Sequence, residues 1–140
     1  MKIEIGVGIP MAKKILCILV TFILIIGTLF LSSRYGWRFF GFRYCTNPSI
    51  IHTESVAVNT GYYQIKGSTT DSMSAFIGYT SKIDGENIYI GLKYNTFLGF
   101  LDRNGKFDIK IDRPMPEQSY NLYIVNDQYQ TLIWPTESTK

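Results

Sequence analysis

The hydrophobic pattern changes period twice along the chain. Ile15 to Ser33 (ILCILVTFILIIGTLFLSS) is an unbroken apolar run without charge or proline, closed by Lys13 and Lys14 before it and Arg34 after it. As a helix it would be roughly 28 Å long, close to the ~30 Å hydrocarbon core of a bilayer. Lipid offers no partner to backbone N–H and C=O groups, so a lone apolar run crosses only as a helix. This predicts a single transmembrane anchor at 15–33.

Beyond Pro48 the pattern becomes short alternating segments separated by turn residues, the grammar of an all-β sandwich. Asp84-Gly85, placed as a two-residue turn, sets Tyr79 opposite Ile90, Ile77 opposite Leu92 and Ala75 opposite Tyr94. One face of that ribbon is then apolar, and Phe76, Lys93, Thr80 and Tyr89 fall on the other. Asn104-Gly105 as a second turn sets Phe100 opposite Ile109 and Leu98 opposite Ile111, with Lys106, Asp108, Lys110 and Asp112 on the wet side. Further strands are expected over Glu54–Val58, Tyr62–Lys66, Tyr120–Val125 and Tyr129–Trp134. Arg113-Pro114-Met115-Pro116 reads as a crossover loop. The predicted domain is an antiparallel immunoglobulin-like β-sandwich of about seven or eight strands over 50–140. GKFDIKI (105–111) and YNLYIVN (120–126) resemble late strands of secreted bacterial sandwich domains, without the Cys–Trp–Cys core of antibody domains.

Between these parts, residues 34–49 form an Arg- and aromatic-rich flank. Arg34, Tyr35, Trp37, Arg38, Phe39 and Phe40 suit the headgroup layer, where rings with polar tips and snorkelling guanidinium groups settle. Residues 1–14 are a short tail. Met11-Ala-Lys-Lys followed by the apolar run has the form of a signal-type start, so translation is expected to begin at Met11. Around the end of the run, Ser33 has Leu31 two residues before it, Gly36 has Arg34 and Gly27 has Ile25. None offers the small residues at −1 and −3 of a cleavage site, which predicts an uncleaved anchor.

Charge refines this division. The chain of 140 residues carries +3, but residues 1–45 hold six Lys/Arg against Glu4, whereas 46–140 hold eight against ten Asp/Glu. A mildly acidic domain argues against nucleic acid, and the basic flank fits anionic headgroups. Lys/Arg counts on the two sides of the run tie. The Tyr-, Thr-, Ser- and Asn-rich domain, free of cysteine after Cys45, points to a cell-membrane protein with its C-terminal domain outside the cell. Cys17 and Cys45 are too far apart along the chain to bridge, leaving Cys45 as a candidate for a disulfide between two chains.

Candidate chemistry is sparse. His52, the lone histidine, shares a strand face with Glu54, but a single His–carboxylate pair is not an acid–base site. Ser68-Thr69-Thr70-Asp71-Ser72 places hydroxyls beside a carboxylate in a turn-like stretch. Asp102-Arg103-Asn104-Gly105 opens like a calcium loop without its later ligands. No catalytic residue, cofactor or metal site is therefore assigned. Tyr89 and Tyr123 are the candidate binding surface, for a cell-wall glycan or an envelope protein. The expected function is binding or accessory support at the cell envelope. A membrane-embedded regulatory or immunity-type subunit is one alternative, and an envelope hydrolase another.

Overall fold

The computed structural model describes residues 10–96, 104–115 and 117–135. Residues 1–9 of the expected tail fall outside that range, as do Phe100, Leu98 and Asp102. The chain divides into two compact units, residues 1–32 and 33–140. The first is built on helix α1, Met11–Tyr35, whose last turn belongs to the second unit. None of its residues is buried within the protein, and it is long and apolar enough to cross a membrane. Thr21 and Thr28 return their hydroxyls to the carbonyls of Cys17 and Leu24, each at 2.8 Å, which satisfies these polar groups within the helix.

Among the described residues, the second unit holds seven strands in two sheets. One sheet has the order β1 (Ile51–Val58), β2 (Tyr62–Thr69), β5 (Lys106–Asp112). The other has the order β3 (Ala75–Asp84), β4 (Asn87–Asn95), β6 (Asn121–Val125), β7 (Gln130–Trp134). Their inner faces close on one core. Tyr63, Ile65, Phe107, Ile109 and Ile111 come from the first sheet; Ile88, Ile90, Leu92, Leu122 and Ile124 come from the second. β5 alternates as expected, with Lys106, Asp108, Lys110 and Asp112 in water and the three apolar residues between them buried.

Three features correct the expected register and direction. The β3–β4 hairpin turns on Gly85-Glu86, because Asp84 pairs with Asn87 and Tyr79 with Leu92. Gly85 has φ +59°, while Asp84 and Glu86 are not among the residues at positive φ; a turn on Asp84-Gly85 of the expected kind needs both central residues there. A bulge between Phe76 and Gly78 then inserts Ile77 and turns Phe76 into the core, against Tyr94 and Phe107. Finally, β4 and β6 run parallel, so the domain is not antiparallel throughout. β5 lies in the opposite sheet, and the chain must return across the end of the domain before β6 begins. Arg113 secures that return. Its guanidinium donates to the carbonyls of Asn59 (3.1 Å) and Gln118 (2.8 Å) and lies over the Tyr63 ring.

Candidate functional site

The site begins where α1 ends. Gly36–Phe39 forms a single 3-10 turn, and Gly41 at φ +50° and Tyr44 at φ +56° bend the chain back over the outer face of the four-stranded sheet. That face has two glycines inside strands. A side chain at Gly78 would collide with the Trp37 indole, 2.6 Å from Cε2 and 2.7 Å from Cη2. One at Gly91 would lie 2.5 Å from Cys45 Sγ and 2.9 Å from both Phe42 Cδ1 and Thr80 Oγ1. Each glycine is the seat of a flank side chain, the close approach that strand glycines often mark.

Polar contacts complete the clamp. Thr46 N–H donates to Leu92 O at 2.8 Å on the stretch of β4 beyond its pairing with β6. Lys93, only 2% exposed, donates through Nζ to the Arg43 carbonyl. Asn95 Nδ2 donates to the backbone and side-chain oxygens of Ser33, at 3.0 and 2.5 Å. Thr80 Oγ1 donates to Gly41 O at 3.4 Å. Asn47 then accepts from Ser49 N–H and opens the 3-10 turn Pro48–Ile50, so the change of pattern at Pro48 is where the flank enters β1.

The flank is thus two-sided. Trp37, Phe42 and Cys45 face the sheet. Tyr35, Phe39, Phe40 and Tyr44 project outward, with Phe39 89% and Tyr44 77% exposed. Arg34 is exposed, and the Arg38 guanidinium lies over the Tyr35 and Trp37 rings at 5.8 and 5.7 Å. Five of the six residues expected at the membrane interface are exposed; Trp37 is partly spent on packing. Cys45 is 8% exposed, and burial pushes its thiol pKa up against the opposing influence of Lys93. A disulfide to another chain would require the flank to lift off.

Next to the flank on the same face, Tyr89 and Tyr123 are in register on the parallel strands. Their rings stack with centroids 5.5 Å apart and 25° between planes. Sequence reasoning named both tyrosines, not their stacking, and missed the contacts of Phe42, Lys93 and Asn95; Gly78 and Gly91, in otherwise strand-like runs, were the available signal.

His52 is exposed, while Glu54 is the extra residue of a bulge and accepts from Ser68 Oγ at 3.5 Å. No hydrogen bond or ion pair joins His52 to Glu54. Asp71 accepts from Ser74 Oγ and from Met73 N–H, and these bonds, Ser74 first, hold its carboxyl below the usual range. Asn104 Oδ1 accepts from Lys106 N–H at 3.2 Å, the contact of a turn. Among the described residues, no cluster of three or more His, Cys, Asp or Glu has the spacing of a metal site. No protein-family model, curated protein or solved structure matches this chain.

Proposed function

We propose that this chain is a single-pass protein of the cell envelope. It is held in the membrane by α1 and carries a small β-domain on the outer side that acts by binding or by supporting another envelope component. The observation that carries this reading is the two-sided flank. An apolar helix with no buried residue runs directly into a segment with one side pinned to the sheet and the other side rich in exposed Tyr, Phe and Arg. Those outward groups suit the headgroup layer, with the Arg residues meeting anionic lipid. The outer location rests on the composition of the domain.

The alternative of a subunit that works through its helix is less well supported, since Thr21 and Thr28 already bond within the helix. An envelope hydrolase would need His52, a carboxylate and a hydroxyl joined in one cleft. His52 lies across from Ser68, whose hydroxyl donates to Glu54 at 3.5 Å, but His52 and Glu54 are exposed on the strand face and no hydrogen bond links His52 to either. As to the domain's type, the order β1-β2-β5 follows the first, second and fifth strands of an immunoglobulin sheet, and the parallel β4/β6 pair departs from that plan.

Two measurements test the proposal, the first on isolated membranes and the second on intact cells. Alkaline carbonate should leave the full-length chain with the membrane, and external protease should digest the β-domain without lysis. Release by carbonate would overturn the anchor, and protection from protease would overturn the outer location.

A further inference from the structure

Beside Phe42, the outer face of the four-stranded sheet carries an open groove of about 510 Å³, bordered by Phe42, Tyr89 and the β6–β7 turn, Asn126–Gln130. That size lies within the roughly 300–1,000 Å³ usual for ligand sites. Strand register lays one row of side chains across all four strands here: Lys82, Tyr89, Tyr123 and Leu132. At about 4.8 Å between strands, the row is ~14 Å long. A second row, Asp84, Asn87 and Asn121, runs beside it, with Asn121 Nδ2 donating to Asn87 Oδ1 at 3.0 Å. The stacked tyrosines therefore lie between a polar row and the polar turn. Among the described residues, no hydrogen bond engages the hydroxyls of Tyr89 and Tyr123, the side-chain amides of Gln128 and Gln130, or the Asp127 carboxylate.

We propose that this groove binds a neutral glycan chain, a pyranose ring packing against Tyr89, which Tyr123 backs by stacking from the neighbouring strand, and its hydroxyls meeting Asp127, Gln128 and Gln130. The proposal deepens the binding role above and rests on it. A pyranose has an apolar C–H face that suits an aromatic ring and a rim of hydroxyls that both donate and accept. Side-chain amides serve both roles, and a carboxylate accepts. An apolar protein partner would bury these groups unpaired, at a cost. A polyanion needs a net positive surface, whereas Lys82 is matched by Asp84 at 3.9 Å and Asp127 adds a negative charge.

The test uses the full chain in phosphatidylcholine nanodiscs, titrated with cellohexaose and chitohexaose and followed by calorimetry. Saturable binding of at least one is expected, weakened at least about tenfold by Tyr89→Ala, which removes the aromatic ring that borders the groove. Gln128→Ala, at an exposed turn position that spares the core, should also weaken it, and Lys66→Ala on the opposite sheet should leave it unchanged. Absence of saturable binding of either sugar at millimolar concentration would overturn the proposal. So would binding indifferent to both groove substitutions, or a groove that takes up a protein and not a sugar. Carbonate extraction of the same chain reads the anchor independently. Failure with sugars while the chain stays in the membrane rejects the glycan site alone; release from the membrane rejects the reading beneath it.

Discussion

Gly78→Ala is the sharpest test of the clamp between flank and sheet. Two costs combine. Gly78 has φ +154°, a conformation L-residues rarely adopt, which costs of order 1–3 kcal/mol. The new methyl would also overlap the Trp37 indole and force it off the sheet. Full burial of a large apolar side chain is worth about 1.5–3 kcal/mol, so a half-buried indole forfeits about 1 kcal/mol. The total is about 2–4 kcal/mol. The assay is urea unfolding of the detergent-solubilised full chain carrying Trp134→Phe, so that emission reports Trp37 alone. The variant should unfold at lower urea, its native emission should shift to the red, and trypsin should cut faster after Arg38 and Arg43. Adding Trp37→Ala removes the collision but keeps the backbone cost, so the double variant should lose about 1 kcal/mol less than the two single losses combined. Wild-type stability and unshifted emission in Gly78→Ala would refute the clamp. Additive losses would show that Trp37 does not rest on Gly78.

Four further outcomes are expected. Gly67→Ala would put a methyl against the backbone carbonyl of His52, and 2.7 Å from Phe107 Cζ; backbone gives way less easily than a side chain, so a loss of about 3 kcal/mol or more is expected in urea unfolding. Cys45, buried and with its pKa raised, should react with a water-soluble maleimide only slowly until denaturant is added, and Cys45→Ser should leave the oligomeric state unchanged. Asp108 is held below the usual carboxylate range first by the Gln64 amide, at 2.8 and 3.0 Å, and further by Lys66 at 3.3 Å. Its contribution is present above the unfolded pKa of about 4 and is lost as pH falls through the lower folded value, so Asp108→Asn should flatten the acid limb of the stability profile. Burial pushes the Tyr94 pKa up, with its hydroxyl donating to Gly105 O at 3.0 Å; that stability is present below the unfolded pKa of about 10 and is lost at higher pH, a dependence Tyr94→Phe should reduce.

Much of this architecture depends on local chemistry and was legible along the chain. The apolar run at 15–33 has few alternatives, since in lipid its backbone groups find partners only within a helix and no side chain of that helix is buried among the described residues. The period-two pattern of β5 and the turn residues at Asn59-Thr60-Gly61 and Asn126-Asp127-Gln128 placed their strands correctly. Tyr89 and Tyr123 were each legible as aromatics on the wet face of their strands, but that they stack follows from the β4/β6 pairing. What local pattern could not settle is what depends on one extra residue or on a distant partner. A bulge at Ile77 reverses the faces of the residues before it, and nothing in the alternation of Ala75–Tyr79 announces that insertion. The parallel pairing of β4 with β6 follows from the route of the chain through the other sheet. The flank shows the same limit most clearly. Its composition fits a lipid interface, but only the folded sheet offers Gly78 and Gly91 as seats for Trp37, Phe42 and Cys45. Residue type sets which surroundings a side chain tolerates, and the three-dimensional packing of segments far apart in the chain decides which surroundings it meets.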